Sequence, residues 1–178
     1  MIEKEILNKH EIENILTRMT FQIIEKIKED TDFALIGIKR RGAILADRIG
    51  DIIARYRNTK PLVGYLDITL YRDDLTEIAD LPKLLGTDIN FDIKGKTIIL
   101  IDDVIFTGRT VRAALDAITD LGRPKKLMLA VLVDRGHREL PIHADFVGKF
   151  VPTNIDEKIN VKLKEIDNID TVTIEKRG

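Results

Sequence analysis

Two carboxylates and a threonine-glycine turn stand close together in the string Asp102-Asp103-Val104-Ile105-Phe106-Thr107-Gly108-Arg109-Thr110. Ionised carboxylates only accept hydrogen bonds, so Asp102 and Asp103 suit hydroxyl donors such as a vicinal diol. They equally suit waters ordered around a magnesium ion. The segment from Thr107 to Thr110 adds two hydroxyls, and Gly108 lets backbone N–H groups approach a ligand closely. Such a nest at the start of a helix fits a phosphate dianion, with each charge-assisted bond worth about 1.5–3 kcal/mol. A diol site a few residues from a phosphate site describes ribose 5-phosphate. Taken singly, the acid pair is an ordinary helix-start preference and Thr-Gly an ordinary turn. The whole string between a strand and a helix points to a ligand.

Two other polar clusters follow apolar runs: Lys39-Arg40-Arg41-Gly42 and Asp134-Arg135-Gly136-His137-Arg138. What positions them is an alternation of elements. Asn8 with Glu11 reads as an N-cap and its capping partner. Ile12, Ile15, Leu16, Met19, Ile23 and Ile27 then recur at helical spacing, predicting a helix to about Lys28. Phe33–Ile38, Thr97–Ile101 and Leu127–Val133 are apolar at almost every position, as strands covered on both faces are. Leu45, Ile49, Ile52, Ile53 and Tyr56 mark a second helix, and Leu62–Ile68 a further strand. Val111, Ala114, Leu115, Ile118 and Leu121 mark a third helix, stopped by Gly122 and Pro124. Thr69–Phe91 lacks periodicity and reads as a long arm or hairpin of functional kind. Phe146–Val151 and the alternating Ile159, Val161 and Leu163 close the pattern. The prediction is an α/β fold: a doubly wound, mainly parallel sheet with helices on both faces and a flexible active-site loop. No repeat or linker divides residues 1–178, so we expect one domain. In such sheets ligands bind beyond the carboxyl ends of the strands, where the three clusters should converge.

Composition narrows the chemistry. The chain has no cysteine, which removes disulfides, thiolate catalysis and thiolate-bound zinc. It also has no serine, so a Ser–His–Asp hydrolase is excluded. Lys plus Arg number 29 against 30 Asp plus Glu, which gives no global pull toward nucleic acid or membrane and leaves only local basic faces. The charged start Met1-Ile2-Glu3-Lys4-Glu5 is unlike a signal peptide, and no apolar run could span a bilayer, so a cytoplasmic address is expected.

The segment Ile98–Thr110, IILIDDVIFTGRT, resembles the phosphoribosyl pyrophosphate (PRPP) signature of the type I phosphoribosyltransferases. The likeness extends to GIKRRG at Gly37–Gly42, DITLYRDDL at Asp67–Leu75 and LVDRGHRELPIHADFVGK at Leu132–Lys149. Within that family these strings look like the bifunctional regulators of pyrimidine operons that are also uracil phosphoribosyltransferases. The resemblance is weakest at Ile78–Lys96 and after Val151. It implies that uracil and PRPP give UMP and pyrophosphate with Mg2+.

Residue by residue, it implies PRPP binding by Ile98, Ile99, Leu100, Ile101, Asp102, Asp103, Val104, Ile105, Phe106, Thr107, Gly108, Arg109 and Thr110. Asp102 and Asp103 would reach magnesium indirectly, the ion being held mainly by PRPP. Lys39, Arg40, Arg41 and Gly42 would form a pyrophosphate loop, with a non-proline cis peptide within Ile38–Gly42 as family members commonly have. Asp67–Leu75 matches a loop that closes over the site and excludes water, with Arg72 reaching pyrophosphate or else pairing with Asp73 or Asp74. Asp103, Arg72 and Arg41 would be the catalytic groups. Val133, Asp134, Arg135, His137 and Arg138 would line the base pocket, with Arg138 and backbone groups matching the uracil edge.

The regulatory half implies leader-mRNA binding through a basic face of a homodimer or higher oligomer, at Thr17, Arg18, Lys26, His137, Arg138 and Lys149. Apolar residues left over on the first helix would fit a dimer. The chain departs from the family pattern at Phe21 (usually His), Arg40 (usually Thr) and His143 (usually Arg). One rival is an RNA-binding regulator whose PRPP site mainly senses UMP. Another is a purine phosphoribosyltransferase, against which the DRGHRELP string at Asp134–Pro141 argues. A receiver-like signalling domain would share strand-end acids but has no use for the TGRT that follows them.

Overall fold

The protein is described by a computed structural model, which covers residues 3–29, 31–73 and 86–176. Five parallel strands form the main sheet: β2 (Phe33–Ile38), β3 (Leu62–Leu66), β4 (Thr97–Ile105), β5 (Lys126–Asp134) and β6 (Phe146–Phe150). Their order is β3-β2-β4-β5-β6, as a doubly wound sheet requires. Helices α1 (Lys9–Lys26) and α2 (Arg41–Arg57) cover one face and α3 (Arg109–Leu121) the other. Strand alternation divides the core accordingly. Ile99 and Ile101 pack with Leu16, Ile23, Ile49 and Ile53, whereas Ile98 and Leu100 pack with Val111, Ala114 and Ile118.

Local chemistry sets the element ends. Asn8 caps α1 in a capping box with Glu11, as the sequence predicts, and the helix ends at Lys26 rather than Lys28. β3 stops at Leu66 because Asp67 turns the chain. Its Oδ1 accepts the Thr69 N–H at 3.0 Å and the Thr69 hydroxyl at 2.6 Å, starting a 3-10 turn over Thr69–Tyr71. The arm beyond it returns beside β3, where Tyr65 and Asp88 exchange backbone hydrogen bonds at 2.8 Å. Residues 74–85 of that arm, including Asp74 and Leu75, lie outside the described residues.

Two features differ from the sequence-based expectation. β4 runs on to Ile105 instead of ending at Ile101. Its pairing with β2 stops at Gly37–Ile101, but β5 continues to pair with it as far as Ile105–Asp134. Asp102 and Asp103 therefore sit on a strand that outlasts its neighbour, not in a loop. Second, an antiparallel sheet stands apart from the parallel one. It consists of β1 (Glu3–Leu7), β8 (Thr171–Lys176) and β7 (Glu157–Lys162), in the order β1-β8-β7, with a short helix α4 (Lys164–Asp167) between β7 and β8. Leu7, Ile159, Val161, Leu163 and Val172 join it to the α1/α2 core. Among the described residues no helix is long and apolar enough to cross a membrane.

Candidate active site

The chain leaves β2 toward β3 on one side and returns through β4 toward β5 on the other, so the sheet order reverses between β2 and β4. Such a switch point opens a crevice beyond the strand ends. Here it holds a cavity of about 580 Å3. It is lined by Lys39, Arg40 and Arg41 after β2 (the basic bank), by Asp102 and Asp103 of β4 (the floor), by Asp67, Thr69, Arg72 and Asp73 after β3 (a second bank), and by Arg109 and Thr110 of α3.

The basic bank is built by close packing. Lys39 N–H donates to the Leu66 carbonyl at 2.9 Å, and the following peptide, Lys39–Arg40, is cis, within the expected segment. α2 then starts at Arg41. Only glycine fits next: a Cβ on Gly42 would lie 2.5 Å from the Ile101 carbonyl oxygen. Arg41 NH2 donates to both carboxylate oxygens of Asp167, at 2.9 and 3.2 Å.

On the floor, Asp103 N–H donates to Asp102 Oδ1 and Val104 N–H to Asp103 Oδ1, each at 2.9 Å. Asp102 is buried. Burial first, and then the neighbouring Asp103, push its carboxyl well above the usual carboxylate range. Among the described residues no group of three or more His, Asp or Glu could cage a metal ion. Two adjacent carboxylates fit magnesium only at second hand, with a ligand supplying most of the oxygens.

Thr107 and Gly108 line a separate hollow of about 90 Å3, which they share with Thr110. Gly108 caps α3 at φ +93°, a left-handed value that favours glycine. Arg109 and Thr110 form the first turn of α3, one step further into the helix than expected. Amides of a first turn lack intrahelical acceptors, which keeps the hollow suited to an anion. The Thr107 carbonyl accepts the Glu139 and Leu140 N–H groups at 2.9 and 3.2 Å, so the 134–140 segment braces this loop.

The third strand end reaches the site by this bracing, against the Phe106–Gly108 loop rather than in the crevice itself. No described residue lining the crevice comes from Val133, Asp134, Arg135, His137 or Arg138. Val133 is fully buried in the α1/α2 core. Arg138 donates to the Phe106 carbonyl and to Asp134 Oδ2, both at 2.7 Å, and its stem passes Gly108. Arg135, only 6% exposed, stacks 3.9 Å from the Phe106 ring centre and donates to Thr153 Oγ1 at 2.9 Å and the Asn154 carbonyl at 3.1 Å. His137 meets Phe106 edge-on and bonds the Thr153 carbonyl. Within the signature, Ile98, Ile99, Leu100 and Ile101 are core residues of β4 that carry the site without reaching a ligand. Ile105 is buried likewise, and Val104 alone of the apolar members lines both hollows.

Asp73 meets Arg109 at 3.0 Å and Arg112 at 2.5 Å, tying the Thr69–Asp73 bank to α3, while Tyr71 donates to Asp120 at 2.7 Å. Arg72 lines the crevice. Asp167, Thr153 and Asn154 are contributors that sequence reasoning missed, because their partners lie far away in the chain. Of the positions expected to meet RNA, Thr17, Arg18, Lys26 and Lys149 are exposed. Arg18 bonds the Gly148 carbonyl, beside Lys149, while Arg138 stays with the Phe106–Gly108 loop. Phe21, 44% exposed, makes an edge-to-face contact with Tyr56 instead of facing solvent alone.

The phosphoribosyl transferase domain family matches residues 3–165. A protein from Chloroflexus aurantiacus named Bifunctional protein PyrR is 55% identical over 172 residues, covering 97% of this chain and 94% of the relative. Its namesake from Thermus aquaticus is 54% identical, covering 98% of this chain and 97% of the relative. Among solved structures, the hypoxanthine phosphoribosyltransferase of Trypanosoma cruzi aligns with a TM-score of 0.72, covering 98% of this chain and 97% of that one. That of Staphylococcus aureus aligns with 0.71, covering 95% and 90%. At 13% and 19% identity these two speak for the fold alone. With the family matched over most of its length and relatives more than half identical, the chain belongs to the phosphoribosyl transferase domain family.

Proposed function

We propose that this protein transfers the phosphoribosyl group of PRPP to uracil, giving UMP and pyrophosphate. The observation that carries it is the switch-point crevice, where Arg41, Arg72 and Asp103 share one cavity that adjoins the Thr107–Thr110 hollow. In this reading the 5-phosphate lies in the Thr107–Thr110 nest and the ribose hydroxyls donate to Asp103 and Asp102. The pyrophosphoryl group meets the Lys39–Arg41 loop and Arg72. Magnesium, arriving with PRPP, would be reached through water from Asp102 and Asp103 and would neutralise pyrophosphoryl charge. Uracil N1 bonds to C1′ as the bond from C1′ to the pyrophosphate oxygen breaks, and the N1 proton leaves to solvent. The transition state is cation-like at C1′, so a bank that excludes water protects it from hydrolysis. The base would sit beyond the ribose near Phe106 and His137, against backbone groups of the Asp134–His137 turn.

The test is UMP formation from uracil and PRPP by purified protein, run beside hypoxanthine, guanine and orotate. Turnover of a purine and not of uracil overturns the substrate assignment.

The likeness to proteins named as bifunctional supports a second activity, UMP-responsive binding to pyrimidine-operon leader mRNA by a cytoplasmic homo-oligomer. Arg18 and Lys149, which share the α1–β6 surface, are its basic contacts. Filter binding to the leader transcript should weaken as salt rises, by a log–log slope of about one per phosphate contact. UMP should tighten RNA binding, and RNA should tighten UMP by the same factor. Absence of saturable binding at low salt would leave the enzyme alone.

A further inference from the structure

A guanidinium on a long, flexible side chain serves a leaving group only if something holds it still. Arg41 stands at the start of α2, on the crevice bank, and its anchor comes from the α4 corner between β7 and β8. The acceptor is Asp167, 126 residues along the chain. The Nε of Arg41 is buried without a partner among the described residues, so Asp167 is what fixes this side chain. The two side chains are 34% and 21% exposed, which sets the pair apart from a solvated surface bridge.

Asp167 is itself held in place. Its Oδ2 accepts the Leu163 N–H at 2.8 Å, and its own N–H donates to the Leu163 carbonyl at 2.7 Å. Burial works against its charge, but the Leu163 amide and Arg41 outweigh it and keep the carboxyl below its usual range. Two helical turns along α2, Arg48 reaches the same corner, meeting Glu165 at 2.6 Å and Asp170 at 2.7 Å. The corner between β7 and β8 is therefore gripped by two arginines, and only Arg41 lines the crevice.

We infer that Asp167 is a positioning residue for pyrophosphate: from the corner between β7 and β8 it orients Arg41 so that the free guanidinium donors meet the leaving group. The inference rests on the pyrophosphate role given to Arg41 above. Asp167 engages NH2 alone, which leaves the other terminal nitrogen for a ligand. A carboxylate that merely fastened sheet to helix would act on stability and on all ligands alike. One that aims Arg41 acts on ligands carrying pyrophosphate.

The test compares D167N, R41Q, the double variant and R48Q in the full chain. D167N should raise KM for PRPP and Ki for pyrophosphate about tenfold, leaving KM for uracil and Kd for UMP unchanged. The double variant should be no worse than R41Q, because the two residues act as a unit. R48Q should lower Tm without moving the pyrophosphate Ki. Should D167N fail to fold, D167E carries the test, with a smaller rise in the pyrophosphate Ki and an unchanged Kd for UMP. Equal losses of UMP and pyrophosphate affinity, additive losses in the double variant, or an R48Q effect equal to that of D167N would each overturn the positioning role. A fall in KM for PRPP would also overturn it, by showing that Asp167 competes with pyrophosphate for Arg41. If R41Q leaves pyrophosphate affinity unchanged, the role of Arg41 fails and the inference fails with it. If the wild-type chain turns over no base, the proposed function fails separately. Calorimetry with magnesium pyrophosphate on the same variants then still decides what Asp167 does.

Discussion

Asp103 and Arg41 face the same crevice from different sides, but they are placed by different means. Asp103 is set by its neighbours: Val104 N–H bonds its Oδ1, and the strand carrying it is ruled by the register with β5. Arg41 is set by a carboxylate from α4, the short helix between β7 and β8. A group built into a strand keeps its position as long as the core holds. A group tethered across the fold depends on the docking of a second body. The β4 floor should therefore tolerate damage elsewhere, and the basic bank should not.

The largest effect expected is on the floor and the nest. Asp103→Asn removes an acceptor charge and Thr107→Val the hydroxyl proposed to meet phosphate, both at nearly constant size. Each should cut kcat/KM about 100-fold or more, in the range seen when a preorganised electrostatic contact is lost. Tm should hardly change, since Asp103 and Thr107 lie outside the apolar core. Wild-type kcat/KM in both variants would remove the end of β4 from the site.

A second substitution tests how tightly the basic bank is joined to the β4 floor. In Gly42→Ala the new methyl would press on the Ile101 carbonyl, so α2 or β4 must shift. A loss of about 1–3 kcal/mol in thermal or urea unfolding is expected, together with a raised KM for PRPP. An unaltered Tm would mean that α2 and β4 are less closely packed than described.

A smaller, pH-dependent effect belongs to Asp102. Its folded-state carboxyl lies above the usual range, so the folded chain binds a proton more readily than the unfolded one. That stabilisation is complete below the ordinary carboxylate value of about 4 and fades as pH rises through the raised one. Asp102→Asn removes the dependence. Its Tm should exceed that of the wild type near pH 8, and the gap should close toward pH 4. A constant gap at all pH would place the burden on something other than the charge of Asp102.

The smallest effect is expected at Glu139, which meets Arg109 at 2.8 Å with both side chains 52% exposed. Solvated pairs of this kind contribute little. Glu139→Gln should leave Tm unchanged in ordinary salt, and a clear drop would mark Arg109 as more confined than its exposure indicates.

These contrasts follow what could be read from the sequence. The three buried strands were legible because each is a continuous apolar run, and the nest because its residues are contiguous. The capping box of α1 was legible for the same reason. β1 and β8 were not. Glu3–Leu7 buries only Leu7 fully, and Thr171–Lys176 mixes threonines with charge, so neither segment signals a strand until the two lie side by side. The extension of β4 past Ile101 depends on β5, and the bracing of the Thr107 loop on Glu139 and Leu140. Arg138 was read as a base ligand because its type suited a carbonyl edge. Its commitment to Phe106 and Asp134 is a tertiary fact. Asp167 resembles any surface aspartate until the fold delivers it to Arg41.

The antiparallel sheet also gives the molecule an order of completion during synthesis. β1 is made before the whole parallel sheet, and its partner β8 after it. A chain emerging from the ribosome can close α1 with its own cap and can assemble the parallel sheet once Phe150 is clear. Glu3–Leu7 meanwhile waits with its backbone unpaired by β8. Nascent chains stalled shortly after Phe150 should resist protease across β4 and β5 while remaining open to cleavage near β1. Protection of both regions at that length would mean that β1 finds another partner first. Otherwise the nest forms before β7 and β8 are made, and the anchor on Arg41 reaches the crevice after it.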